Sequence, residues 1–183
     1  MRVLITRLLP DAVIAAARAR FDVTLRELGR PMSAEEAAAA LRDYDAVLPT
    51  LGDAFGTSAF DAVDAPRCRL LANFGVGYNH IDAAAARAKG IAVTNTPGAV
   101  TDATADIAMM LILMSARRAS EGERLVRAGQ WTGWHPVQML GQHVTGKTLA
   151  IIGMGRIGKA IARRAHFGFG MRIVFFNRSP VAD

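Results

Sequence analysis

Cysteine is almost missing from this 183-residue chain, where Cys68 stands alone. A single cysteine excludes an internal disulfide framework and a thiolate metal site, and it suits the reducing cytoplasm. Aromatic residues reach only 7%, which leaves no obvious stacking platform for single-stranded nucleic acid. Lysine is scarce as well: Lys89, Lys147 and Lys159 aside, arginine carries the positive side of a net charge of +6. A basic balance invites a nucleic-acid reading. Against it, the basic residues are scattered, are densest at the pairs Arg117-Arg118 and Arg163-Arg164, and lack interleaved aromatics. No nucleic-acid partner is expected. Long apolar runs are absent too. The longest, Ile107 to Met114, is well short of the roughly 20 residues that cross a bilayer. The run Val3-Leu4-Ile5 near the N-terminus is far too short for a signal peptide. No membrane partner is expected.

What is present is hydrophobic residue, 51% of the chain, enough for one good core or two small ones. Short strands are expected at Val3 to Thr6, Phe21 to Leu25, Asp45 to Leu48, Leu70 to Asn73 and Ile91 to Thr94. Helical segments lie between them: Pro10-Asp11 through Ala17, Ser33 through Leu41, Ser58 to Val63 and Asp82 to Lys89. Ser33 reads as an N-cap, with Glu36 completing a capping box. This alternation implies a doubly wound parallel sheet, a flavodoxin-like α/β domain over residues 1–98. Asn95-Thr96-Pro97-Gly98 breaks the pattern and marks its boundary. A long helix capped by Thr101-Asp102 then runs to about Arg127. Its middle, Ile107 to Met114, is apolar on every face and is expected to be buried all round, at a domain seam or a dimer interface. Asp106 reads as an early-turn carboxylate that favours the helix dipole. Trp131 and Trp134 should pin an irregular loop to the core, with His135 and His143 as polar surface residues.

The most informative stretch runs from Lys147 to Ser179. Thr148 to Ile152 reads as a strand buried on both faces. Gly153, Gly155 and Gly158 then give G-x-G-x-x-G where the strand yields to an amphipathic helix beginning near Arg156, and Ile173 to Phe176 is a second strand. In that context the glycines predict a dinucleotide site. Gly153 allows a tight turn, Gly155 admits a pyrophosphate to the backbone, and Gly158 lets helix and strand pack closely. The helix start aims free N–H groups and a positive dipole end at the pyrophosphate. About 20 residues on, where an acidic residue commonly holds the adenosine ribose, the chain has Asn177-Arg178-Ser179. A neutral Asn does not repel a 2′-phosphate and Arg178 can pair with one, so NADP(H) is expected over NAD(H).

A second candidate site is Asn73-Phe74-Gly75-Val76-Gly77-Tyr78-Asn79-His80-Ile81-Asp82. It follows the fourth strand, at the edge where open α/β sheets bind ligands. Gly75 and Gly77 permit positive φ, so successive N–H groups could form a nest for an anion. A tight turn with glycines for geometry alone is the plainer reading. His80 is expected to be a structural donor.

Taken together, these motifs resemble the D-isomer-specific 2-hydroxyacid dehydrogenases. The likeness lies in Gly75 to Asp82, Asn95-Thr96-Pro97-Gly98, Thr101 to Asp106 and Gly153-Met154-Gly155-Arg156-Ile157-Gly158. Trp131-Thr132-Gly133-Trp134, Pro136 and Leu140-Gly141 are similar to the glyoxylate/hydroxypyruvate reductase branch. The resemblance implies a flavodoxin-like substrate domain and a Rossmann domain, here residues 99–183 with the preceding helix. It implies that backbone N–H groups of Val76 and Gly77 hold a substrate carboxylate. Arg156, Ile157 and Gly158, with Met154 and the other glycines, would meet the pyrophosphate. Asn177, Arg178 and Ser179 would meet the adenosine end, and Thr104 would face the nicotinamide region. Asn79-His80 departs from the Asp-Asn or Asp-His of many relatives. The implied reaction is hydride transfer between NAD(P)H and a small 2-oxo acid such as glyoxylate or hydroxypyruvate, in a homodimer when complete. The family's later arginine, carboxylate and proton-donating histidine have no match here. The sequence is therefore expected to be the N-terminal part of an enzyme, inactive by itself, with Leu149, Ile151 and Ile152 on an unpaired, aggregation-prone edge. A non-catalytic dinucleotide sensor or scaffold of the same fold is the alternative.

Overall fold

The computed structural model describes residues 1–27 and 29–181. The chain divides into two compact units, Met1–Pro97 and Gly98 onward. In the first unit, β1 (Arg2–Ile5), β2 (Asp22–Leu25), β3 (Ala46–Leu48), β4 (Leu70–Ala72) and β5 (Ala92–Thr94) form one sheet in the order β2-β1-β3-β4-β5. Every pairing is parallel. Helices α1 (Asp11–Arg18), α2 (Ala34–Asp43), α3 (Thr57–Asp61) and α4 (Ala83–Ala88) are the crossovers. Strand alternation divides the core between the two faces. Leu4, Val47 and Leu71 join Leu41, Phe55, Phe60 and Ala86, from α2, α3, α4 and their flanks. Ile5 joins Ile14 of α1, with Leu48 packed against them. Helices on both faces of a parallel sheet are the expected doubly wound arrangement.

The capping box at α2 forms as the sequence predicts. Ser33 Oγ accepts from the Glu36 N–H, and Glu36 accepts from the Ser33 N–H at 2.8 Å. Glu36 also accepts from Arg30 and Arg26. The Arg30 hydrogen bond foremost, then the Ser33 N–H, brings its carboxyl down to about 2. Because the folded value lies below the unfolded one, the interaction supports folding above the ordinary Glu range and is lost as pH falls towards 2. Glu36→Gln should therefore melt below wild type at about pH 6, and the gap should close as the pH approaches about 2. A gap that stays constant over that range in thermal melts would contradict it.

The second unit contains α5 (Thr101–Ala116), α6 (Ala119–Arg127), β6 (Thr148–Ile152), α7 (Arg156–Phe169) and β7 (Arg172–Phe176). β6 and β7 pair in parallel, Thr148 beside Arg172 and Ile152 beside Phe176. Met109 of α5, Ala165 of α7, Val144 and Met171 form the buried centre, with Leu149 and Ile173 against it.

Three sequence expectations change here. The long helix is two helices, because Arg118 turns left-handed at φ 53. Its chain is diverted where the Gln142 N–H donates to the Ala116 carbonyl at 2.7 Å, and an added Cβ at Gly141 would lie 2.5 Å from that same oxygen. Thr101 and Asp102 do not cap α5, whose N-cap is Val100 with no side-chain bond. Within the single chain the apolar middle is covered on one side only: Met109 is buried against α7, while Ile107, Met110 and Leu111 are exposed, on the face that the expected dimer interface would have to cover. Trp131 and Trp134 are exposed as well. Their loop is anchored instead by Gly141 against α5 and by buried Val144.

The strand β6 likewise falls short of two-sided burial. Leu149 is half-buried and Ile151 is buried, while Ala150 and Ile152 on the opposite face are exposed, Ile152 at 88%. Among the described residues β6 pairs with β7 alone, so its other edge is unpaired as expected, although of the three apolar side chains there only Ile152 is exposed. Asp106 is not the early-turn carboxylate expected, since the acid in the first turn of α5 is Asp102; instead Arg164 of α7 donates to Asp106 at 2.7 Å and to Asp102 at 3.0 Å, tying α7 to α5.

Candidate functional site

Each unit carries one candidate site. In the first unit the site is the turn after β4. Asn73 is buried, and its Nδ2 donates to the Gly75 and Gly77 carbonyls at 3.1 and 3.0 Å. The Thr96 N–H also donates to the Gly75 carbonyl, and Asn95 Nδ2 donates to the Val76 carbonyl at 2.8 Å. All three carbonyls are thus held from the protein side. Among the described residues neither the Val76 nor the Gly77 N–H has an acceptor. Two adjacent free donors at the ligand edge of a parallel sheet are suited to a carboxylate.

The expectation of positive φ holds for Gly75, at 155°, but Gly77 is not among the positive-φ residues. An added Cβ at Gly77 would meet nothing within 4 Å, so neither backbone conformation nor packing calls for glycine there. His80 is not the structural donor expected. Its Nε2 is buried without a partner among the described residues, and burial pushes its pKa down, opposed by Asp53. Asp53, which no sequence motif singles out, is fully buried; it accepts from the N–H groups of Met32 and Thr50 at 2.9 and 2.8 Å and so fixes the neighbouring loop.

In the second unit the site is the turn from β6 into α7. Gly153 adopts φ +100, which an L side chain rarely tolerates. A Cβ at Gly158 would stand 2.2 Å from the Gly153 carbonyl oxygen, so α7 approaches the strand end as closely as backbone allows. Gly155 is different. It is the N-cap of α7 at φ -80, no side chain caps the helix, and an added Cβ would meet nothing within 4 Å. The first N–H groups of α7, from Arg156, Ile157 and Gly158, therefore open onto uncrowded space. This is a cradle that fits a pyrophosphate, and beyond glycine's modest preference for an N-cap the protein's own packing gives no reason for glycine at 155. Asn177 follows β7 and braces the turn: its Oδ1 accepts from the Met154 N–H at 3.0 Å, and its Nδ2 donates to the Ser179 carbonyl at 2.8 Å. Arg178 and Ser179 beside it are exposed, as is Thr104 in the first turn of α5.

The profile of the D-isomer specific 2-hydroxyacid dehydrogenase catalytic domain matches residues 3–174. The chain belongs to this family. Glyoxylate reductase of Thermococcus kodakarensis is 44% identical over 182 residues, covering 97% of this chain and 54% of the relative. Glycerate dehydrogenase of Hyphomicrobium methylovorum is 40% identical over 176 residues, covering 96% and 54%. A solved structure from Thermus thermophilus superposes with a TM-score of 0.90 at 39% identity, covering 100% of this chain and 58% of that one. The chain thus spans about half the length of the relatives it matches. Among the described residues, no helix is long and apolar enough to cross a membrane and no metal-binding cluster is present.

Proposed function

We propose that the protein is an oxidoreductase that reduces a small 2-oxo acid, such as glyoxylate or hydroxypyruvate, with NADPH in preference to NADH. The observation that carries this reading is Gly155, a glycine that neither strain nor packing requires, at the uncapped start of a helix following a strand. A dinucleotide pyrophosphate supplies the missing reason. When bound, the nicotinamide supplies the hydride. The chain's own residues bind and orient. Gly153, Met154 and Gly155 shape the turn, the N–H groups of Arg156, Ile157 and Gly158 meet the pyrophosphate, and Thr104 lies towards the nicotinamide. Asn177 braces the turn and presents Arg178 and Ser179 to the adenosine end. Val76 and Gly77 hold the substrate carboxylate through their N–H groups.

Among the described residues no histidine hydrogen-bonds a carboxylate; His135 pairs with Thr132 and His166 with the Met171 carbonyl. In this reading the proton donor belongs to sequence that these 183 residues do not include. The test is NADPH oxidation on adding glyoxylate or hydroxypyruvate, run on this chain and on one extended to the length of its relatives. The extended chain should turn over and this one should not. Comparable rates would overturn the placement of the proton donor, and an inert extended chain would overturn the reaction.

Cofactor choice has its own test. Arg178→Ala should weaken NADPH by about ten- to a hundred-fold and NADH far less, as expected for one charge-assisted bond. Equal losses for the two would show that Arg178 does not read the 2′-phosphate.

A further inference from the structure

We propose that Asn73 and Asn95 are the positioning residues of the anion site, aiming the two N–H donors through the far side of their peptide planes. The proposal deepens the reading of Val76 and Gly77 as the carboxylate site and rests on it. In a planar trans peptide the carbonyl of one residue and the N–H of the next point in opposite directions. Fixing the Gly75 carbonyl therefore fixes the Val76 N–H, and fixing the Val76 carbonyl fixes the Gly77 N–H. Asn73 Nδ2, with the Thr96 N–H, holds the first at 3.1 and 3.0 Å; Asn95 Nδ2 holds the second at 2.8 Å. Asn73 also takes the Gly77 carbonyl at 3.0 Å, which closes the turn.

The amide at Asn73 has a definite orientation. Reversing it would set Oδ1 against the Gly75 and Gly77 carbonyls, so its NH₂ must face them. That leaves Asn73 Oδ1 buried with no donor among the described residues. An unpaired buried acceptor is costly, and holding two carbonyls of the turn is what the side chain gains in return. Asn95 is exposed, so its bond to Val76 does not serve to satisfy a buried side chain. Both amides act on the turn from behind, and neither blocks the donors.

The experiment is a titration of the protein with oxamate, a non-reducible 2-oxo acid analogue, at saturating NADPH, read by the amide resonances of Val76 and Gly77. In the wild type both should move on binding. Asn95→Ala should weaken oxamate by about three- to ten-fold, the scale of one lost hydrogen bond, and should diminish the Gly77 response more than the Val76 response. Asn73→Leu, of similar size but without donors, should do the reverse. If the buried Leu variant does not fold, exposed Asn95→Ala decides the matter alone, since it should melt as the wild type does. Wild-type affinity with unchanged amide responses in the folded variants would overturn the positioning role and leave the carboxylate site standing. Silent Val76 and Gly77 resonances in the wild type would overturn the site itself, and the positioning role with it.

Discussion

Gly155→Val should abolish measurable dinucleotide binding while leaving the protein nearly as stable as wild type, whereas Gly158→Ala should lose stability first. The two glycines share a motif but differ in what surrounds them. At Gly155, φ is -80 and an added Cβ meets nothing within 4 Å. Valine there costs only the difference between a good and a poor N-cap, about 1 kcal/mol, yet it fills the space left for a pyrophosphate. At Gly158 the added Cβ meets the Gly153 carbonyl oxygen at 2.2 Å and the Ile151 side chain at 3.3 Å. Backbone must shift, at an overpacking cost of about 1–3 kcal/mol. Calorimetric titration and thermal melts on both variants separate the cases. A Gly155→Val protein that binds NADPH normally would show that the open space is not a ligand site.

The second large effect is expected on the substrate side. Gly77→Val should weaken 2-oxo acid binding at least ten-fold while NADPH affinity stays nearly unchanged. Gly77 needs no special φ, and an added Cβ has open space around it, so a folding defect is not expected. The branched side chain instead crowds the free N–H, where a carboxylate must approach to hydrogen-bond distance. The measurement is the affinity for oxamate and for NADPH, side by side. Equal losses for both would point to a general disturbance of the protein, and no loss for either would place the carboxylate elsewhere.

Much of this was legible in the sequence because it is local. The capping box of Ser33 and Glu36 and the strand–glycine–helix turn at Gly153 depend on neighbours within a few residues, and the strand–helix alternation is written in the apolar pattern of each short segment. The break at Arg118 was not legible. No proline or glycine marks it, and the contact that accompanies it, the Gln142 N–H on the Ala116 carbonyl, comes from far along the chain. The roles of Asn73, Asn95 and Asn177 were hidden for the same reason, since a side-chain amide shows its target only once the fold brings it near. Exposure of Trp131 and Trp134 defeated a reading from composition, which marks residues as apolar without showing what covers them. Gly77 was assigned for its torsional freedom, whereas its surroundings show an opening beside a free donor.

Titrating the protein with NADPH and NADH by calorimetry tests most directly whether the turn from β6 into α7 is a dinucleotide site. One-to-one saturable binding of NADPH, tighter than NADH and lost in Gly155→Val, is the predicted result. Failure of both dinucleotides to saturate the wild-type protein, or undiminished binding by Gly155→Val, would contradict it.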